Sequence, residues 1–254
     1  MAEEAELSKE YLELYEVYRI PLGVVSSFIS VVLLALNIVT LVGIRNRNEC
    51  VKYPAFRIMS LSIVFDSVQL FVHITSAIFG ACGQQIPSRL NTVLGAVISA
   101  AWMTSNSLTV LLSFNRVLVV AHTNMERRIF KGWREHNSKN SLERKLTINV
   151  FIYGLYFAFL FVYWEFIDGQ LLETTPVSNF LSNMMWIVAN GMQAILTLIL
   201  NRGVRKVGAE TVLAWILRLA KCQLIREKGR PTPFHMKALT VAPPTTSTAL
   251  KKGK

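Results

Sequence analysis

The sequence has few charged residues and lacks the residue patterns of a metal or redox site. Only 17% of its 254 residues are Asp, Glu, Lys or Arg, against about 25% in ordinary soluble domains. Its three cysteines lie far apart without CxxC spacing, and its four histidines form no HExxH-type pair. No combination of nucleophile, base and metal ligands predicts an enzyme. We therefore expect no catalytic residues, no metal and no cofactor.

A cleavable signal is also lacking, because the first twenty residues contain six glutamates and no long apolar run. Apolar residues dominate elsewhere: 52% of the chain is hydrophobic and its mean hydropathy is +0.39. A bilayer core requires about 20 apolar residues of helix. Five stretches meet this requirement, at residues 21–44, 58–79, 93–120, 146–167 and 177–200. Strands of a β-barrel would alternate and be about half as long, so the sequence predicts an all-α polytopic membrane helix bundle.

Basic residues collect in alternate loops, and this sets the expected orientation. The net charge of +11 could indicate a nucleic-acid partner, but these residues gather between the apolar stretches. Four lie in residues 45–57, one in 80–92, eight in 116–145 and none in 165–176. Lysine and arginine near span ends are retained in the cytoplasm. The pattern predicts an extracellular N terminus, a cytoplasmic C terminus, and a lipid bilayer rather than nucleic acid as partner.

Polar residues recur at helical spacing inside the apolar stretches. In the second stretch Ser62, Asp66, Gln69 and His73 follow one another at intervals of four, three and four residues, which places them on one helix face. The first, third and fifth stretches carry similar residues: Ser26, Ser30 and Asn37; Thr104, Ser105, Asn106, Ser107, Thr109, Ser113 and Asn115; and Asn183, Asn190, Thr197 and Asn201. We expect these faces to meet in a shared polar interior rather than to contact lipid.

Two interpretations of these polar residues stay open. The serines and threonines either hydrogen-bond helix to helix, at about 0.6–2 kcal/mol each, or line a functional interior. An ionisable side chain within a span is costly and marks a candidate site, so Asp66 is expected to attract a cation or a proton and to bias two packings of the bundle. For His73, a hydrogen-bonded interior histidine competes with a ligand contact.

Several segments carry the motifs of one receptor family. The stretch YPAFRIMSLSIVFDSVQL contains Asp66, and Ser113, Asn115 and Arg116 close the third apolar stretch. Further matching positions are Asn37, Tyr53, Ile58, Met59, Gly80, Cys82, Pro87, Gly95 and Trp102. Together they resemble the class T (Srt) serpentine chemoreceptors of nematodes, which are seven-helix, rhodopsin-like G-protein-coupled receptors.

The resemblance implies a receptor that binds a small-molecule ligand and signals through a heterotrimeric G protein at the plasma membrane. Arg116 would stand at the cytoplasmic mouth, where such receptors engage the G protein. The implied polar core comprises Asn37, Asp66, Asn115, Arg116, Asn190 and Asn201. Ligand contacts are expected in the outer halves of the helices, at His73, Trp102, Asn106 and Trp164.

The fourth and fifth stretches are similar to the family's sixth and seventh helices, whereas residues 129–132 resemble the approach to its fourth. Two helices are therefore expected to be missing between Gly132 and Ser141, which leaves Cys82 without the family's usual disulfide partner. One alternative is a truncated isoform or gene-model product that does not signal, is retained in the endoplasmic reticulum, and acts by pairing with full-length receptors in a dimer. A second is a small transporter or channel, which would require internal repeats, broken helices or charge rings; the sequence displays none.

The chain is expected to comprise four segments. Residues 1–20 form an extracellular N-terminal segment, and residues 21–207 form the receptor-like transmembrane bundle. Residues 208–228 carry an apolar stripe typical of a juxtamembrane amphipathic helix on the inner leaflet. Residues 229–254 are rich in Pro, Thr and Lys and are expected to be a disordered cytoplasmic tail.

The predicted orientation can be tested with epitope tags at the two termini. When digitonin permeabilises only the plasma membrane, a C-terminal tag on the chain should be stained, because basic segments stay in the cytosol. An N-terminal tag should be stained from outside intact cells, or only after the endoplasmic reticulum is also opened. Immunofluorescence measures both, with a lumenal marker as the permeabilisation control. An N-terminal tag stained by cytosolic antibody would contradict the orientation.

Overall fold

The chain is helical throughout the part that can be described. The computed structural model describes residues 2–48, 53–129, 137–168 and 175–228, and the side chains of residues 14–48, 53–119, 121, 144–167 and 175–218. Six α-helices and one π-helical segment follow in order: α1 (Ala2–Asn46), α2 (Pro54–Ala81), α3 (Ser88–Ile129), α4 (Asn137–Val162), the π segment (Tyr163–Asp168), α5 (Pro176–Leu200) and α6 (Arg202–Lys228). No strand occurs within these ranges.

Five stretches of this helical structure are long and apolar enough to cross a membrane. They are residues 14–46 in α1, 54–81 in α2, 88–119 in α3, 144–167 across α4 and the π segment, and 176–200 in α5. Each covers the stretch predicted from the sequence to within one residue. The prediction of an all-α membrane bundle with five spanning helices is therefore confirmed.

The first helix is longer than the apolar stretch within it. α1 begins at Ala2 and continues without a break through Pro21. Residues 2–20 are mostly Glu, Leu, Ala, Tyr and Lys, which include the best helix formers. Pro21 removes one backbone donor from the helix, and spanning helices tolerate such a loss.

Short polar signals and prolines set the other helix boundaries. Thr175 and Ser178 form a capping box in which each side chain accepts a hydrogen bond from the backbone N–H of the other, and Pro176 follows the cap. Asn201 separates α5 from α6, and its Oδ1 accepts a hydrogen bond from the Val204 N–H at 3.2 Å. These local bonds satisfy donors that a helix terminus would otherwise leave exposed.

α2 is the central helix, and it packs against α1, α3 and α5. The larger apolar core lies at the end of the bundle that carries Arg45, Arg57 and Arg202, here called the arginine-rich end. Its buried members are Ile44, Ala55, Phe56, Met59, Ile63, Leu112, Leu146, Val150, Leu198 and Val204. A smaller cluster of Leu33, Leu70 and Ile187 joins α1, α2 and α5 farther from that end.

Glycines allow α1 to approach the start of α6 at backbone distance. A Cβ added to Gly43 would meet the carbonyl oxygen of Val204, and one added to Gly208 would meet the carbonyl oxygen of Val39. Small residues at such crossings permit close van der Waals packing, which drives helix association where lipid competes with apolar side chains. α6 therefore begins as a packed part of the bundle at Arg202, six residues before the helix expected from the sequence.

α3 and α4 expose more of their length than α2 and α5. In the most apolar part of each span, 17% of the α3 residues are buried, against 50% in α5. Five hydroxyls of α3 donate to the carbonyl oxygen four residues earlier in the same helix, at 2.7–3.0 Å: Thr92, Thr104, Ser107, Thr109 and Ser113. These hydroxyl donors are therefore satisfied within α3 and require no acceptor on a second helix. The expectation that the polar residues of α3 all turn inward therefore holds for Ser105, which is buried, but not for Ser107, which is exposed.

The chain divides into two compact units, residues 1–213 and 214–254. In the second unit α6 continues to Lys228. The first residues of this second unit include Trp215, Ile216 and Leu217. These three side chains point in different directions around the helix, and all of them are exposed. The predicted disordered tail, residues 229–254, and the expected junction at Gly132 lie outside the described residues.

Candidate functional site

One face of α2 forms the spine of the candidate site. Ser62, Asp66, Gln69 and His73 are all buried, as their spacing predicts. At about 1.5 Å of rise per residue the four side chains cover about 16 Å of the helix. Each of them meets a residue of α3 or α5, so the face lies against two neighbouring helices.

Asp66 is at the centre of a buried hydroxyl network. The Ser105 hydroxyl donates to Asp66 Oδ1 at 2.6 Å, and its oxygen lies 2.9 Å from that of Ser62. A hydroxyl has one hydrogen, so the Ser62 hydroxyl is the donor to Ser105. Tyr153 of α4 brings its phenol close to Asp66, Ser105 and Thr109. Among the described residues Asp66 Oδ2 has no hydrogen-bond partner.

Asn37 joins three helices on the other side of α2. Its fully buried amide donates from Nδ2 to the Ser67 hydroxyl and to the Asn190 carbonyl oxygen, both at 3.2 Å. The next residue of α5, Gly191, lies against the side chain of Leu33, which an added Cβ would overlap. Asn37 and Asn190, which the resemblance assigned to one polar core, therefore lie in contact.

An aromatic cluster lies between α2, α3, the π segment and α5, farther from the arginine-rich end than Asp66. Trp186 is its centre, in edge-to-face contact with His73, Trp102 and Trp164 at ring-centroid distances of 5.5, 6.4 and 6.3 Å. His73 is buried, whereas the three tryptophans are partly exposed. Three of the four residues predicted to contact a ligand thus surround one ring. Asn106 is half-buried one turn along α3 from Trp102.

Gln69 connects this aromatic cluster to the face of α2. The Trp186 indole donates from Nε1 to Gln69 Oε1 at 3.0 Å, while Gln69 Nε2 is buried without a hydrogen-bond partner in the described part of the chain. The same holds for His73 Nε2. Gln69 is three residues from Asp66, so the aromatic cluster and the hydroxyl network are consecutive on one helix face.

Arg116 lies at the arginine-rich end of α3 and is 5% exposed. Its Nη2 donates to Asn115 Oδ1 at 2.9 Å. Beside it, a groove of about 580 Å³ opens between α3 and α4. Its walls include Ser113, Arg116, Val117, Val150, Phe151, Gly154 and Leu155. A cation therefore lies in the wall of an otherwise apolar groove.

Three predicted polar-core residues lie apart from the central network. Asn201 caps α6, as described above, and Asn115 contacts Arg116 at the far end of α3. Conversely, Tyr153 and Trp186 were not among the predicted site residues, although Tyr153 lies beside Asp66 and Trp186 is the centre of the aromatic cluster. A tryptophan in a stretch rich in asparagine was a usable signal for Trp186, but nothing in the spacing of α4 singles out Tyr153.

The acidic, histidine and cysteine side chains do not gather into a metal site: the described residues contain no group of three or more. Cys82 is exposed and forms no disulfide. Asp66 instead has hydroxyl neighbours, Ser62 and Ser105, with which it forms a buried hydrogen-bonding network.

Five membrane-crossing stretches around a buried polar interior define a multi-pass membrane protein. Residues 6–166 match the family model described as "Serpentine type 7TM GPCR chemoreceptor Srt". This match covers more than half of the chain, and the chain therefore belongs to that receptor family, as the resemblance predicts. The matched region ends in the π segment, before α5. Neither the curated proteins nor the solved structures include a match.

The Asn37 contact gives a prediction for stability. Asn37→Ala removes two hydrogen bonds between helices, and such bonds contribute about 0.6 kcal/mol on average in membrane proteins, up to about 1.7. We expect a lower melting temperature of the detergent-purified chain, measured by size-exclusion chromatography after heating.

Thr40→Val is the matched control. Thr40 is equally buried in α1, but its hydroxyl donates to Leu36 of its own helix at 2.8 Å, so its loss should lower the melting temperature less. Asn37→Ala should also lower the melting temperature less in a Ser67→Ala background, where only its bond to the Asn190 carbonyl oxygen is left to lose. Equal effects of the two α1 variants would contradict the assigned contact.

Proposed function

We propose that the chain is a chemosensory receptor that binds a small ligand at the aromatic cluster and activates a heterotrimeric G protein at the plasma membrane. The observation that carries the proposal is that one face of α2 holds both contacts. His73 and Gln69 on this face contact Trp186, and Asp66 on the same face is hydrogen-bonded to Ser105. A ligand held by the rings would act on helices that also hold the buried network.

Ligand binding at the aromatic cluster is supported by the partial exposure of Trp102, Trp164 and Trp186. Under the orientation predicted from the loops, this cluster lies in the outer half of the bundle. A ligand can shift a conformational equilibrium only if it binds one state more tightly. Contacts with Trp186 provide such a difference when α5 moves, because this ring also touches α2, α3 and the π segment.

The transmission step is assigned to the central polar residues. Asp66 bonds α2 to α3 through Ser105, and Asn37 bonds α1 to α2 and α5 through Ser67 and Asn190. Polar bonds of this kind have few alternative partners in a bilayer, so the helices have discrete packings rather than a continuum. A cation or proton reaching Asp66 would favour one of these packings.

The output is assigned to Arg116 and the groove beside it. Guanidinium groups present several donors in a fixed fork, which suits capture of carboxylates and helix-terminal carbonyl oxygens of a partner. The predicted orientation places Arg116 toward the cytoplasm, where a G protein is found. The apolar wall formed by Val117, Val150 and Phe151 would accept apolar side chains of that partner.

Arg116 provides the test of receptor function. Nucleotide exchange on purified heterotrimers, driven by the full chain in lipid nanodiscs, should be detectable without ligand or with members of a panel of small volatile compounds. We expect Arg116→Ala to lower the exchange rate about tenfold, within the range of allosteric coupling, and Arg116→Lys to restore only part of it. Arg202→Ala, which removes an exposed arginine at the same end, should change the rate little. No exchange with any heterotrimer would contradict the proposal.

A second candidate function is association with another receptor chain through the groove between α3 and α4. Gly154 lies in the groove wall, and a Cβ added there would meet no atom within 4 Å. Glycine in a helix costs about 1 kcal/mol relative to alanine, yet packing within this chain does not require it at this position. Close approach of a helix from a second chain would require it.

The pairing predicts a specific effect of Gly154→Leu. Resonance energy transfer between two co-expressed, differently labelled copies should fall severalfold, because the larger side chain blocks close helix approach. Thermal stability of the single chain should be unchanged or higher. Gly95→Leu is the control, since Gly95 also has nothing within 4 Å but lies outside the groove. Equal losses in both variants, or in neither, would contradict pairing through the groove.

A further inference from the structure

We infer that the aromatic cluster recognises an uncharged aromatic compound bearing one hydrogen-bond acceptor, and that the Gln69 amide donates to that acceptor. This inference rests on the proposed function, because it names the ligand class for the same site. It follows from the orientation of one buried amide, the rings around it, and the position of the nearest charges.

The orientation of Gln69 is fixed by its partner. An indole N–H can only donate, so Trp186 must face the oxygen of the Gln69 amide, and it does so at 3.0 Å. The amide nitrogen must then point elsewhere with two hydrogens. Gln69 is fully buried, and this nitrogen has no hydrogen-bond partner among the residues described.

A buried donor without a partner costs about 1–3 kcal/mol. Rotating the amide would not remove this cost, because it would set two donors against each other at Trp186. A ligand acceptor such as a carbonyl oxygen removes the cost without disturbing the Trp186 bond. The unbonded nitrogen therefore specifies an acceptor on the ligand.

The surroundings specify the rest of the ligand. Trp102, Trp164 and Trp186 present partly exposed ring surfaces, which favour offset or edge-to-face contact with another aromatic ring. His73 adds a second buried nitrogen without a described partner, Nε2, and a neutral imidazole nitrogen can either accept or donate. The site thus offers extensive aromatic surface and very few polar contacts.

The described charged side chains at this end of the bundle are exposed or paired with one another. Among the described residues at this end of the bundle, Arg19 pairs with Glu16 at 2.7 Å, and Arg89 and Glu165 are exposed. The buried carboxyl group of Asp66 lies three residues before Gln69 on α2, and its Oδ1 accepts a hydrogen bond from Ser105. Burial of a charged ligand without an opposite charge is strongly unfavourable, so an uncharged ligand is favoured over an ammonium or a carboxylate.

Four compounds of similar size separate these possibilities: acetophenone, its acceptor-free analogue ethylbenzene, cationic 1-phenylethylamine and anionic benzoate. Ligand-detected NMR titrations compare nanodiscs containing the full chain with empty nanodiscs, which corrects for partition into lipid. We expect acetophenone to bind about tenfold more tightly than ethylbenzene, the ratio for one hydrogen bond to a donor that is otherwise unsatisfied. Both charged compounds should bind more weakly than acetophenone.

Variants connect this preference to Gln69. Gln69→Met keeps the volume and removes the donor, so the preference for acetophenone should disappear while ethylbenzene affinity stays the same. Trp186→Phe keeps a ring but releases the amide, and it should reduce the preference even if Gln69→Met fails to fold. Gln193→Met is the control, because Gln193 is a buried glutamine of α5 outside the ring contacts and its loss should leave the preference intact.

Three results would overturn the inference: equal affinity for acetophenone and ethylbenzene, tighter binding of a charged compound, or an undiminished preference in both Gln69→Met and Trp186→Phe. Binding of none of the four compounds would also overturn it. These outcomes do not decide the proposed function, because nucleotide exchange dependent on Arg116 is measured separately. A chain that binds the amine and activates a G protein would remain a receptor with a different ligand class.

Discussion

Buried polar groups in this bundle depend on partners inside it, because the surrounding hydrocarbon offers none. Apolar side chains are also favourable in contact with lipid, so they drive helix association mainly through close packing. The bonds of Asn37 to α2 and α5, and of Asp66 to α3, therefore fix which helix faces meet at these points in the bundle. The same few bonds define the interior that the proposed receptor would use.

The sequence was sufficient for most of the architecture. Run length determined the five spans, and the spacing from Ser62 to His73 determined which face of α2 is buried, since 3.6 residues per turn leaves no other solution. Asn37 and Asn190 were assigned to one core by resemblance, and they are in contact. His73, Trp102 and Trp164 were grouped because they fall in the same half of the bundle, and they meet at Trp186.

The remaining features depend on choices that residue spacing does not encode. A threonine or serine in a spanning helix can donate to its own helix or to a neighbour, and the two bonds are similar in energy. The Ser105 hydroxyl donates to Asp66 of the neighbouring helix, whereas the Ser107 hydroxyl donates to a carbonyl oxygen of its own helix. Both are polar residues of one short segment. Tyr153 reaches the Asp66 network only because α4 packs against α3 at that level. Asn201 was predicted to belong to the polar core, but it lies at the break between α5 and α6, where it caps α6.

The π segment has a consequence for how insertions and deletions would act on this chain. A π turn holds more residues than an α turn, so the side chains of Tyr163–Asp168 take angular positions different from those that a continued α4 would give them. Trp164 reaches Trp186 from within this wider turn. Deleting Tyr163 would move Trp164 back by one position and rotate it by about 100° around the helix axis. The number of residues before Trp164 thus determines which direction the ring faces, independently of its chemical identity.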